Sequence, residues 1–129
     1  MNAVALNLKF TFRTTPKDLF LAITHPSFLQ NWLAPVVELD TETGVYTFRW
    51  TRCVEMARII EKVPGKYVRW EWVSQGLGTG TGGISFRLEQ DPEDELIDLY
   101  VTDYCEAGEE KAMRAGWYKQ MKRLERLLG

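Results

Sequence analysis

The chain has 129 residues, of which 45% are hydrophobic and 26% charged, and its formal net charge is −2. That length suits one domain with a substantial core, residues 1–129, and excludes two ordinary domains joined by a linker. The charge gives no electrostatic basis for nucleic-acid binding, and no apolar run is long enough to span a membrane as a helix.

The first residues, Met1-Asn2-Ala3-Val4, lack a basic stretch followed by an apolar core, so a cytoplasmic location is expected. From Val4 to Arg13 the residues alternate strictly, with Val4, Leu6, Leu8, Phe10 and Phe12 on one side, which predicts a half-buried strand. Thr14-Thr15-Pro16 follows. A threonine cap and a proline in the first turn predict a helix from about Pro16 to about Thr24, with Leu19, Phe20 and Ile23 at helical spacing. His25-Pro26 breaks it. Ser27 is the expected cap of a second short helix carrying Phe28, Leu29 and Trp32, which Pro35 stops.

The middle of the chain reads as a meander of antiparallel strands, because the connections between alternating runs are too short for helical crossovers. A short strand at Val36 to Leu39 leads into the turn Asp40 to Gly44, and Val45 to Trp50 then presents Tyr46, Phe48 and Trp50 on one face. Cys53 to Val63 changes parity, which predicts a bulge near Met56. After the Pro64-Gly65 turn, Tyr67 to Val73 places Val68, Trp70 and Trp72 together. Ile84, Phe86 and Leu88 alternate with polar residues, Asp91 to Asp94 turns the chain, and Glu95 to Tyr104 sets Ile97, Leu99 and Val101 inward. The last helix begins near Gly108. Met113, Trp117, Leu124 and Leu128 form its apolar stripe, with Ala112 and Gly116 beside them, and its acidic start and basic end suit the helix dipole.

This order resembles the START-like, helix-grip superfamily, which includes pollen-allergen-type ligand carriers and polyketide cyclases. It is most similar to the branch homologous to the C-terminal domain of the heat-shock-chaperone ATPase activator, and to small bacterial START-like domains. The resemblance rests on Thr15-Pro16, Phe20, Thr24, Pro26 and Trp32, on Gly44 to Trp50, and on Ala57 to Glu61 with Pro64. Trp70-Glu71-Trp72, Thr102-Asp103, Gly116-Trp117, Leu124, Leu127 and Leu128 complete it. One departure is Leu33 after Trp32, where many relatives carry a second aromatic. The fold implied is α+β: a curved antiparallel sheet wrapped around a long C-terminal helix, with two short helices after the first strand.

Gly78 to Gly83 satisfies G-x-G-x-x-G, but a strand follows it where a dinucleotide site needs a helix N-terminus, so a hairpin loop over Ser74 to Gly83, able to act as a flap, is the better reading. His25 is the single histidine, which excludes a multi-histidine metal site, and its place before Pro26 fits a turn or cap. Cys53 and Cys105 lack metal or dithiol spacing and read as buried free thiols. No cofactor or metal is expected. Catalytic residues are not assignable, because Asp103, Glu55, Tyr104 and His25 are scattered candidates for acid/base work.

The aromatics are the clearest functional clue. Trp50, Trp70, Trp72, Phe86, Met113 and Trp117 converge between sheet and helix by parity, either as a filled core or as walls of a pocket that Gly116 widens. Asp103 shares the inward parity of its strand, and Arg58 shares that of Val54 and Met56 if no bulge intervenes, so both are candidate polar anchors. The leading expectation is a non-enzymatic domain that binds a small apolar or amphipathic molecule. The alternatives are a protein-interaction module of the chaperone-activator kind, with a protein partner, and an enzyme of the cyclase or hydratase type.

Overall fold

The computed structural model describes residues 3–73, 83–90, 93 and 95–128. In chain order the elements are β1 (Ala3–Arg13), α1 (Pro16–Ala22), α2 (Pro26–Trp32), β2 (Val36–Asp40), β3 (Val45–Arg49), β4 (Val54–Val63), β5 (Tyr67–Trp72), β6 (Gly83–Gln90), β7 (Leu96–Glu106) and α3 (Glu110–Leu128). The seven strands form one antiparallel sheet in the order β1-β7-β6-β5-β4-β3-β2. β2 to β7 are thus a meander, and the first strand joins at the β7 edge. This is the α+β helix-grip arrangement that the order of elements predicts. The hairpin loop expected over 74–82 and most of the turn expected at 91–94 lie outside the described residues.

Short polar turns set the meander. Between β2 and β3, Asp40 Oδ1 accepts from the backbone N–H of Glu42 at 2.9 Å and of Thr43 at 3.4 Å. Gly44 and Gly65 both adopt φ of +75°, a left-handed conformation that glycine takes without a Cβ penalty, so the two hairpins can close. The irregularity in β4 is a register shift against β5 between Ile59 and Glu61, further along the strand than the parity change at Met56 indicated.

The helical corner is held by side chains that satisfy helix-end backbone groups. Thr15 caps α1, accepting from Asp18 N at 3.1 Å, and Pro16 occupies the first turn. At the other end of α1, Thr24 Oγ1 donates to Phe20 O at 2.7 Å, Trp32 Nε1 to Ala22 O at 2.7 Å, and Tyr46 Oη to Thr24 O at 2.8 Å. The last two tie α1 to α2 and to β3. The cap of α2 is His25, not Ser27: its Nδ1 accepts from Ser27 N at 3.3 Å and lies 2.8 Å from Ser27 Oγ. A proline at position 26 fits the first turn, which places the cap two residues earlier than the serine.

One face of the sheet meets the helices. Leu6, Leu8 and Phe12 of β1, Ile97, Leu99 and Val101 of β7, and Ile84, Phe86 and Leu88 of β6 are all buried. α3 packs on α2, α1, β1 and β7. It buries Trp117, Met121 and Leu124, each worth about 1.5–3 kcal/mol of hydrophobic stabilisation. Ala112 and Gly116 are exposed, so the stripe runs through Met121 and not through them. The opposite face carries Arg49–Glu38 and Arg69–Glu61 ion pairs at 2.7 and 3.2 Å, whose exposure leaves each a minor contribution. Among the described residues no helix is long and apolar enough to cross a membrane.

Candidate functional site

Where α3 crosses the sheet, the core ends in an open groove of about 600 Å³. Its apolar walls are Trp50 after β3, Trp72 at the end of β5, Ile84 of β6, Met113 and Trp117 of α3, and Leu33 after α2. Gly116 of α3 is among the residues that line it. A Cβ built on Gly116 would meet no atom within 4 Å.

Aromatic contacts set the wall geometry. The Trp50 ring stacks against Phe48 with centroids 6.0 Å apart, and Trp72 meets Phe48 edge-on at 6.3 Å. Trp117 meets Phe86 edge-on at 6.0 Å. Leu33 O collects two donors, Trp50 Nε1 at 3.1 Å and Gln120 Nε2 at 3.4 Å, and so joins the helical corner to α3.

The polar residues of the groove are Asp103, Glu55, Gln120, Tyr104 and Cys53. Asp103 is 8% exposed, and both of its carboxylate oxygens accept hydrogen bonds: Oδ2 from Trp117 Nε1 at 2.9 Å, Oδ1 from Tyr104 N at 2.7 Å. Burial raises its pKa above the ordinary 3.8, and these two hydrogen bonds pull it part of the way back. Gln120 Oε1 is buried and has no hydrogen-bond partner among the described residues. Leaving an acceptor of that kind unsatisfied is costly.

Of the six wall residues expected from the sequence, Trp50, Trp72, Met113 and Trp117 line the groove. Trp70 and Phe86 do not. Trp70 is 5% exposed and packs edge-on against Tyr46 with centroids 4.5 Å apart, while Phe86 is 3% exposed beneath Trp117. The inner aromatics fill the core, and the outer ones line the open groove. Arg58 is a correction. The inward residues of β4 are Ala57 and Ile59, so Arg58 points to the exposed face and pairs in register with Glu71. Cys53 is another, since it is exposed beside the groove while Cys105 is buried.

Sequence reasoning passed over Leu33, Ile84 and Gln120. Gln120 lies three residues after Trp117 and seven after Met113, a helical spacing that places it on the same face. Leu33 had no such signal. Glu55 and Tyr104 line the groove, but His25 caps α2 and does not join them. Among the described residues no three His, Cys, Asp or Glu side chains cluster as a metal site. A second cleft, of about 730 Å³, lies by the Pro64-Gly65 turn, between Pro16, Tyr67, Leu88 and Ile97. It holds neither a buried carboxylate nor an unsatisfied buried acceptor among the described residues, and the groove is the stronger candidate.

Comparison with known proteins agrees with this architecture. The family model described as Activator of Hsp90 ATPase homolog 1-like protein matches residues 13–129. No curated protein matches the chain by sequence. Among solved structures, the Aha1 dimer from Colwellia psychrerythraea is 18% identical, with 97% of this chain and 96% of that one covered and a TM-score of 0.81. Protein MLL2253 from Mesorhizobium loti is 16% identical over 97% and 96% of the two chains, with a TM-score of 0.76. CalU16 from Micromonospora echinospora is 15% identical over 98% of this chain and 77% of that one, with a TM-score of 0.75. At such identities the likeness is one of fold.

Proposed function

The chain belongs to the Activator of Hsp90 ATPase homolog 1-like family, and from that premise we propose that it is a non-enzymatic domain that binds a small apolar or amphipathic molecule in the groove between sheet and α3. The observation that carries this reading is the open space over Gly116, walled by Trp50, Trp72, Met113 and Trp117. A solid core has no use for such a space, whereas ligand sites are concave, largely apolar and furnished with a few polar groups. Burial of about 300 Å² of apolar ligand surface at about 25 cal/mol per Å² gives a gross gain of about 7 kcal/mol before ordering costs, an affinity in the micromolar range or weaker.

The test is a titration with N-phenyl-1-naphthylamine, a neutral apolar fluorophore, together with a native mass spectrum of the freshly purified protein. A saturable one-site enhancement of the dye that Gly116→Phe abolishes supports the reading, as does a discrete mass lost on denaturation. Absence of saturable dye binding in the unmodified protein removes it.

A second reading, a module that acts on a chaperone ATPase, is favoured by the description of the family. It predicts that the chain co-purifies stoichiometrically with a chaperone ATPase and raises its turnover. Such an activity would persist in Gly116→Phe, which separates the two readings.

A further inference from the structure

We infer that the groove selects a ligand that presents a cation or hydrogen-bond donors beside a flat apolar body, such as an aromatic amine, and rejects carboxylates such as fatty acids. This inference rests on the binding reading above and concerns the chemistry of the occupant.

The charged side chains in the lining are both acidic, Glu55 and Asp103, and no Lys, Arg or His is among the described lining residues. An anionic headgroup in the groove would therefore meet two carboxylates with no countercharge from the wall, and like charges that share a partly desolvated site repel strongly.

The hydrogen-bonding groups point the same way. Three side-chain N–H groups of the wall are already engaged, those of Trp117 with Asp103 and of both Trp50 and Gln120 with Leu33 O. Gln120 Oε1 is left as a buried acceptor without a partner among the described residues. Amide oxygen can only accept, and this one is enclosed, so it meets a donor from a ligand only where the Gln120 side chain turns toward the groove. The assignment of the amide is itself determined by the surroundings: exchanging O and N would set an oxygen against the carbonyl of Leu33. Finally, Trp50, Trp72 and Trp117 offer indole π-systems, whose faces attract cations and stack on flat rings. Two independent features, acidic charge and tryptophan walls, thus converge on one chemical class.

The experiment is displacement of N-phenyl-1-naphthylamine by three matched probes at neutral pH: 1-naphthylmethylamine as the cation, 1-methylnaphthalene as the neutral body and 1-naphthoate as the anion. The expected order is cation, then neutral, then anion, with the cation ahead of the anion by about tenfold or more. Glu55→Gln should shrink that ratio several-fold, and Glu89→Gln, which lies outside the groove, should leave it unchanged. Equal or tighter binding of 1-naphthoate while the dye still binds overturns the inference and leaves the binding reading standing. A ratio that Glu55→Gln does not move also overturns it, since the preference would then arise elsewhere. Failure of the dye itself to bind removes both.

Discussion

Trp117 donates its indole N–H to Asp103 Oδ2 across 2.9 Å, which joins α3 to β7 beside the groove. Both partners are buried, so neither can exchange this bond for water at little cost. Trp117→Phe keeps most of the ring and removes the donor. The expected loss is about 1–3 kcal/mol in urea unfolding, because a buried acceptor is left unmatched. The Asp103 carboxyl should also titrate higher than in the unmodified protein, since the Trp117 bond lowers its pKa. Unchanged stability together with an unchanged titration would show that the bond contributes nothing.

Asp103 gives a pH signature of its own. Burial raises its folded pKa above 3.8, so the native state holds the proton more tightly than the unfolded chain does. Its contribution is thus fully present below that value and is lost as pH rises through the raised folded pKa. Asn has no such titration. The stability of the unmodified protein relative to Asp103→Asn should fall as pH is raised from about 3 to about 7, measured by urea unfolding across a pH series. A pH-independent difference would contradict the raised pKa.

Gly116 separates helix stability from groove volume. With no atom within 4 Å of a built Cβ, Gly116→Ala is free of clash and should stabilise α3. The gain in thermal or chemical unfolding should approach about 1 kcal/mol, the difference in helix propensity. Destabilisation by alanine would mean that the space is closed in solution.

Gly83 is the contrasting case. A Cβ there would collide with the backbone carbonyl of Trp70, in the strand β5 with which β6 pairs. Backbone cannot move aside as a side-chain tip can, so Gly83→Ala should cost about 1–3 kcal/mol or more as the start of β6 is pushed away. Hydrogen exchange at Trp70 and Ile84 should accelerate in the variant, and an unaltered exchange pattern would argue against the close approach.

The two thiols should react differently. Cys53 is exposed beside the groove; Cys105 is buried, and burial first, then the carboxylates of Glu110, Asp103 and Glu109, push its thiol pKa up. Maleimide labelling should modify Cys53 rapidly and Cys105 only on unfolding. Saturation with N-phenyl-1-naphthylamine should slow Cys53 labelling, because that residue lines the groove. Equal rates for the two residues would contradict the burial assignment.

The sequence by itself determined the order of elements and the inward faces of β1, β3, β5, β6 and β7. Alternation over five or more residues leaves one face to bury, and the Asp40 to Gly44 and Pro64-Gly65 turns were legible because few residue types tolerate those conformations. It also identified Asp103 as inward and Trp117 as a member of the helix stripe. The inward face of β4 was not legible, since Val54 to Val63 carries apolar residues on both parities and only pairing with β3 and β5 decides between them; Arg58 followed the wrong choice. Nor could parity tell Trp70, packed on Tyr46, from Trp72, open to the groove, although both point inward from one strand. That distinction depends on where α3 lies across the sheet. Long-range packing also brings the Gln120 amide to the Leu33 carbonyl, 87 positions away, and leaves its Oε1 buried without a partner among the described residues. Local periodicity reports which way a side chain points; what it meets there is decided by elements distant in the chain.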